Sequence, residues 1–272
     1  MPVGSPVAAS PLGVFDSGIG GLTVAHALFE RLPAESVIYF GDTARVPYGP
    51  KSPDTVRRYS TEILAYLLQR GVKMVVVACN TSTAHALEHL RERSPVPVVG
   101  VIEPGARAAV RASGSGRIGV IGTQGTIASG AYERAIVALR PDARVHARAC
   151  PLFVPLIEEG WFEHPATELV AREYLEPLHV ARVDTLVLGC THYPLIKPLL
   201  GRVLGPDVRL IDSADETAAA VRDELNRRDL LAPPGGPAVH QFVVSDDEPR
   251  FRAVGARFLG ERLHRVDVVP LG

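Results

Sequence analysis

Lys73–His85 reads KMVVVACNTSTAH: an unbroken apolar run climbs to a cysteine and gives way to small amide and hydroxyl residues. A short run of this kind, rich in β-branched residues, marks a strand buried on both faces, the condition of a parallel sheet covered by helices. The polar break marks the strand's carboxyl end, where ligands of open α/β sheets bind. The arrangement recurs at Thr185–Pro194, TLVLGCTHYP. Two strands thus carry thiols, Cys79 and Cys190, at ligand-facing tips.

Working outward from Lys73, short apolar runs alternate with longer amphipathic ones. LGVF and SVIYF read as strands, LTVAHALFERL as the helix between them, and GDTARVPYGPK as a polar loop. The next helix is punctuated by Ser52 as N-cap, Pro53 at its first position, Ile63, Leu64, Leu67 and Leu68 on one face, and Gly71 as stop. After Cys79 come helix TAHALEHLRER, strand VPVVGV and a Pro-Gly break at EPG, which reads as a domain boundary. The pattern then restarts with strand RIGVIG, helix SGAYERAIVAL, strand ARVHARA, a Pro-rich loop through Glu158, helix ATELVAREYLEPL, strand DTLVLG, and VRLIDS to end the second half. The remaining helix ADETAAAVRDELNRR, strand HQFVVS, helix PRFRAVGARFLG and strand RVDVV read as a return to the first half.

The halves mirror each other. Val14 of VFDSG and Val120 of VIGTQG stand 106 residues apart, and the two cysteines 111 apart. Similar offsets for separate features fit two related units. The expected fold is therefore two similar, doubly wound α/β domains with mainly parallel sheets, pseudo-symmetric about an interdomain active-site cleft. Residues 1–103 plus 213–272 form the first and residues 104–212 the second.

Composition excludes several classes. The 272 residues are 46% hydrophobic, enough for real cores, and the formal net charge is −1. No block of like charge offers a footprint for nucleic acid or an anionic membrane. The opening MPVGSPVAASP lacks a basic n-region, and no apolar stretch approaches the ~18 residues of a membrane span, so a cytoplasmic location is expected. Three scattered cysteines give neither a disulfide framework nor a CxxC zinc pair. Oligomeric state is not legible, and a homodimer stays open beside a monomer.

Cys150, inside ARACPLF, reads as a small buried apolar residue. Cys79 and Cys190 differ: each is the first residue after its apolar run and faces the cleft. Cys79, Cys190, His192 and His85 could be assembled into a metal site, but their spacing matches no ligand pattern. A cysteine hydrolase needs one Cys and one His, and Cys190 with His192, two apart in one loop, is poorly placed for it and leaves a thiol over. Acid–base work at one carbon from opposite faces uses both: a thiolate removes a proton on one side while a thiol delivers one on the other. Two equivalent groups on two equivalent units select this last role.

The segments GVFDSGIGGLTV, PYG at Pro47, ACNT at Ala78 and LGCTHYPL at Leu188 resemble, in order from Leu12 to Ser213, the signature segments of the glutamate racemases of the aspartate/glutamate racemase superfamily. The resemblance implies a cofactor-independent enzyme supplying D-glutamate for peptidoglycan, with Cys79 and Cys190 as proton donor and acceptor. It implies that Asp16, Ser17, Tyr48, Gly49, Asn80, Thr81, Thr191 and His192 contact substrate, and that Glu158 in VPLIEEG matches the family's acidic catalytic-site residue. It also suggests that Cys79 handles D-glutamate and Cys190 L-glutamate. Two features depart from the family: Ser82-Thr83 after CNT, where alanine is common, and a tail of about ten residues ahead of Leu12. Racemisation of aspartate or hydantoin and a non-catalytic amino-acid-binding protein are the alternatives.

The residues carry a physical reading of their own. DSGIGG lacks the spacing of a phosphate loop, because Thr23 occupies the last glycine position, and Asp16 suits an ammonium group or caps the following helix. Backbone N–H groups after Ser17, Asn80 and Thr191 suit carboxylates. A free thiol titrates near 8.5, so only about a few per cent is thiolate at neutral pH, and a helix terminus alone does not close that gap. Help is expected from His192 beside Cys190 and from Asp16, nearer Cys79, and Glu158. A pyridoxal enzyme would need one of Lys51, Lys73 or Lys197, of which only Lys197 lies near the site, so no cofactor is expected.

Overall fold

The computed structural model describes residues 7–263 and 265–271, so the first six residues of the expected tail lie outside it. From the amino end, β1 (Leu12–Asp16), α1 (Leu22–Arg31), β2 (Val37–Gly41), α2 (Pro53–Gln69), β3 (Met74–Val77), α3 (Asn80–Arg93) and β4 (Val98–Gly100) alternate as the sequence periods predict. A second series follows: α4 (Ile102–Ala112), β5 (Arg117–Gly122), α5 (Gln124–Ala128), α6 (Ala131–Leu139), β6 (Arg144–Ala149), α7 (Phe153–Glu158), α8 (Pro165–Val180), β7 (Thr185–Gly189), α9 (Lys197–Leu204) and β8 (Arg209–Ile211). The chain ends with α10 (Ala214–Arg227), β9 (His240–Val244), α11 (Glu248–Leu259) and β10 (Val266–Val268).

Two sequence expectations are corrected. The EPG triplet is no break: Pro104 lies in the first turn of α4, so the boundary drawn after residue 103 falls inside a helix. The Pro-rich stretch before Glu158 is helix α7, with Pro155 again in the first turn. The cause is shared, since the first turn has no intrahelical partner for its N–H groups and proline loses nothing there.

The strands form two sheets in the orders β10-β9-β2-β1-β3-β4 and β6-β5-β7-β8, with every pairing parallel. The run β2-β1-β3-β4 in one matches β6-β5-β7-β8 in the other, so β3 and β7, the strands that end at the thiols, are topological counterparts. Each lies beside the first strand of its series, where the winding reverses and a crevice opens at the carboxyl ends. The register Phe15↔Val77 and a 2.9 Å bond from Ala78 N–H to Phe15 O bring Asp16 and Ser17 level with Cys79. Gly122↔Gly189 does the same for Thr123 and Cys190.

Both faces of each sheet are covered. In the six-stranded sheet, Leu22, Leu28 and Phe29 of α1, Val221 and Leu225 of α10 and Phe251 of α11 bury one face, while Ile63, Leu64 and Leu67 of α2 and Leu87 and Leu90 of α3 bury the other. In the four-stranded sheet, Leu175 and Leu178 of α8 and Leu199 and Leu200 of α9 face Ala106, Tyr132 and Ile136 of α4 and α6 across the strands. Each such side chain contributes roughly 1.5–3 kcal/mol on burial, which anchors the strand tips. At the opposite end, buried Lys73 pairs with Glu35 at 2.6 Å and donates to the carbonyls of Ala8 and Leu230. Among the described residues no helix is long and apolar enough to cross a membrane.

Candidate active site

Cys79 is the N-cap of α3: its Sγ accepts from Ser82 N–H at 3.4 Å and lies 3.7 Å from Ser17 Oγ. A strand that ends in the β region and turns at once into a helix aims its last side chain at the orphan N–H groups. Burial, and then the nearby Asp16 carboxylate, push the Cys79 thiol up to about 11, against the pull of the Ser82 and Ser17 hydrogen bonds. The helix terminus therefore does not leave Cys79 a thiolate at rest.

Cys190 follows β7 and leads into a short 3-10 turn, Tyr193–Ile196. Its Sγ stands 3.8 Å from His192 Nδ1, and His192 Nε2 stands 3.2 Å from Glu158 Oε1. Burial works against a charged ring, yet its contacts with Cys190 and Glu158 carry His192 up to about 10. Glu158 responds in the opposite sense: partial burial disfavours its charge, but His192 and then Arg250 hold its carboxyl below the usual range. The result is a buried imidazolium–carboxylate pair beside one thiol only.

Both thiols line one pocket of about 20 Å³, with Ser17, Val46, Pro47, Tyr48, Gly49, Asn80, Thr81, Thr123, Val154, Thr191 and His192. That is room for about one water molecule, so the site is closed. Nine of the eleven residues singled out in the sequence meet at this pocket. Asp16 and Glu158 stand directly behind its wall.

Asp16 is wholly buried, and its oxygens accept from Gly18 N–H at 3.0 Å and from Thr191 Oγ1 at 3.3 Å. Burial raises its pKa, opposed by the His192 charge and the Gly21 and Gly18 N–H groups. It thus organises the glycine loop, as a capping residue does, and ties that loop to the Cys190 segment. The loop packs so closely that a Cβ on Gly20 would lie 2.3 Å from Thr191 Oγ1 and 2.7 Å from His192 Nδ1. Tyr48 donates its hydroxyl to buried Asp42, so it is the ring that faces the pocket.

Asn80 Oδ1 accepts from Tyr132 of α6 at 2.7 Å, while its buried Nδ2 has no partner. An unsatisfied buried donor in a pocket wall is a place for an acceptor. Thr81 Oγ1 is 2.8 Å from Thr123 Oγ1 and 3.2 Å from Thr126 Oγ1. His85, considered as a metal ligand with the thiols, instead hydrogen-bonds Gly125 O at 3.0 Å. Cys150 is buried in the core of the smaller sheet, as read from the sequence.

Sequence reasoning missed Thr123, Val46, Pro47 and Val154. Thr123 had a signal, since the 106-residue offset of the internal repeat carries Ser17 onto it. Pro47 opens the quoted PYG and Val46 precedes it, whereas Val154 had no signal.

Fold and site define a class: an α/β protein of two matching parallel sheets, each bringing one buried thiol to a shared, closed pocket. The sequence matches the Asp/Glu/Hydantoin racemase family over residues 18–221. It is 55% identical over 260 residues to the glutamate racemase of Geobacter metallireducens, covering 96% of each chain. The fold superposes on a glutamate racemase isoform of Bacillus anthracis with a TM-score of 0.90 at 40% identity, covering 97% of both chains. It superposes on the Francisella tularensis glutamate racemase, solved in complex with D-glutamate, with a TM-score of 0.90 at 38% identity, covering 97% of this chain and 98% of that one. The chain belongs to the Asp/Glu/Hydantoin racemase family and, at this identity and coverage, to its glutamate racemases.

Proposed function

We infer that the chain is an isomerase that interconverts L- and D-glutamate, with Cys79 and Cys190 as the two acid–base groups and no cofactor. The observation that carries this reading is that two thiols from topologically equivalent strand tips line one closed pocket, beside the unpartnered Asn80 amide. In one direction Cys190, as thiolate beside the His192 imidazolium, takes the α-proton while Cys79, as thiol, protonates the opposite face. Reversal exchanges the roles. The Asn80 amide, the hydroxyls of Ser17, Thr81 and Thr191 and the N–H groups around them supply donors for the two substrate carboxylates, and exclusion of water strengthens them as carbanion charge develops.

The same reading keeps residues 1–103 plus 213–272 and residues 104–212 as the two moving units, joined within the first turn of α4, places the enzyme in the cytoplasm where D-glutamate enters peptidoglycan synthesis, and admits a homodimer as its assembly. Sedimentation tests the last. The pocket must open to admit glutamate, which is far larger than about 20 Å³.

The test of the chemistry is NMR loss of the α-proton signal in deuterated water, with each pure enantiomer and each variant. Cys79→Ser and Cys190→Ser should each abolish net inversion, and residual exchange should favour one enantiomer, the opposite one in the two variants. A lone thiolate can remove and return a proton on its own face only. Interconversion of both enantiomers at wild-type rates by either variant would refute the two-base reading, and faster turnover of aspartate than glutamate would move the specificity.

A further inference from the structure

The Glu158 carboxylate has two oxygens and two cations. Oε1 takes His192 Nε2 at 3.2 Å, and Oε2 lies 3.8 Å from the Arg250 guanidinium, which also reaches Glu159 at 3.4 Å. Arg250 stands on α11, which packs on the six-stranded sheet, whereas Glu158 closes α7 on the other half. The amino end of α11 is itself pinned to the pocket's Val46–Tyr48 wall. Ser245 donates to Asp42 Oδ1 at 2.8 Å, Asp246 N–H donates to Thr43 Oγ1 at 2.9 Å, and Asp42 holds the Tyr48 hydroxyl. Arg250 is therefore presented on a braced frame across a cavity of about 150 Å³ lined by Gly18, Ile19, Val46, Glu158, Asp247 and Phe251 among others.

We propose that Arg250 is a positioning residue for the Cys190 side of the reaction: it engages Glu158 across the closed cleft and so holds His192 against the thiol. The proposal rests on the reading of Cys190 as an acid–base group. The chain of contacts runs from Arg250 through both Glu158 oxygens and both His192 nitrogens to Cys190 Sγ. With its outer oxygen unpartnered, the carboxylate is free to rotate and the ring loses its fixed bearing on Cys190. The charged groups around Glu158 are His192 from the loop after β7 and Arg250 from α11, with Glu159 sharing the guanidinium and Asp247 capping α11 at the Arg250 backbone N–H. Removing Arg250 lets Glu158 take a proton at higher pH, and a protonated Glu158 no longer supports the imidazolium.

The test compares wild type, Arg250→Gln, Arg250→Lys and Cys190→Ser in the full chain. The enantiomer whose exchange Cys190→Ser abolishes defines the direction that begins at Cys190. For Arg250→Gln, kcat in that direction should fall roughly three- to tenfold and more than kcat in the other, as expected for a partly exposed ion pair that also orients a catalytic group. The acid limb of its pH profile should move up by roughly a few tenths of a unit, with the melting temperature nearly unchanged. Arg250→Lys, which keeps the charge without the planar fork, should recover part of the loss. An inactive Cys190→Ser together with an Arg250→Gln enzyme that matches wild type in both kcat values and in pH profile would overturn the inference alone. An active Cys190→Ser would overturn it together with the two-base reading.

Discussion

At the scale of single residues the two thiols are matched in place and unmatched in charge. Cys79 has a neighbouring carboxylate and a pKa pushed up to about 11, while Cys190 has an imidazolium beside it. The free energies of L- and D-glutamate in water are equal, so kcat/KM is the same in both directions for every variant. Asymmetry can appear only in kcat, in KM or in proton exchange. It follows that in Cys190→Ser, where Cys79 is the lone base, exchange requires a thiolate whose pKa lies above neutrality. Its rate should rise about tenfold per pH unit between roughly pH 7 and 9, since that is how the ionised fraction of an acid grows below its pKa. A flat profile in Cys190→Ser would show that bound substrate, rather than the resting pocket, sets the Cys79 ionisation. Both thiols were legible in the sequence because an apolar run ending in Cys is a local pattern. The grip of Asp16 on Thr191 and the pairing of Glu158 with His192 were not, since nothing local says which loops of two separate sheets will meet.

At the scale of elements, helices act here through their ends and their partners. The strands were read from apolar runs because a doubly covered parallel strand has no polar face to confuse the period, and α2 was read from its Ser52 cap. Helices α4 and α7 escaped because proline in a first turn looks the same in sequence as proline that ends an element. α6 illustrates how one element serves another: Tyr132, buried in its own core, donates to Asn80 Oδ1 on α3 and thereby turns the Asn80 amide N–H₂ toward the pocket. Tyr132→Phe removes that bond while keeping the ring. The loss of one hydrogen bond that orients a ligand donor is worth about 0.5–1.5 kcal/mol, so KM should rise roughly two- to tenfold with kcat less affected. A fall in kcat at constant KM would show that Asn80 acts on the transition state instead of on binding.

At the scale of the whole molecule, polar contacts join the two halves around the pocket: Gly125 N–H to Gly49 O at 2.9 Å, Thr81 to Thr123, His85 to Gly125 O, Tyr132 to Asn80 and Thr191 to Asp16. Hydrogen bonds of this kind can be exchanged for water when the pocket opens, which a site must do if its closed form leaves about 20 Å³ and its substrate is a dicarboxylic amino acid. Gly49 is a tight point of the seam, because a Cβ there would lie 2.8 Å from Thr123 Cβ. Gly49→Ala therefore acts as a wedge between the halves while leaving the packing of each unchanged. Misplacing reacting groups by about 1 Å can cost on the order of 10²-fold, so kcat should fall at least about tenfold while the melting temperature without ligand stays close to wild type. The rise in melting temperature on adding D-glutamate should also shrink, since a cleft that cannot close binds its ligand less tightly than one that can. Wild-type turnover with an unchanged melting temperature would mean that chemistry does not require the closed seam.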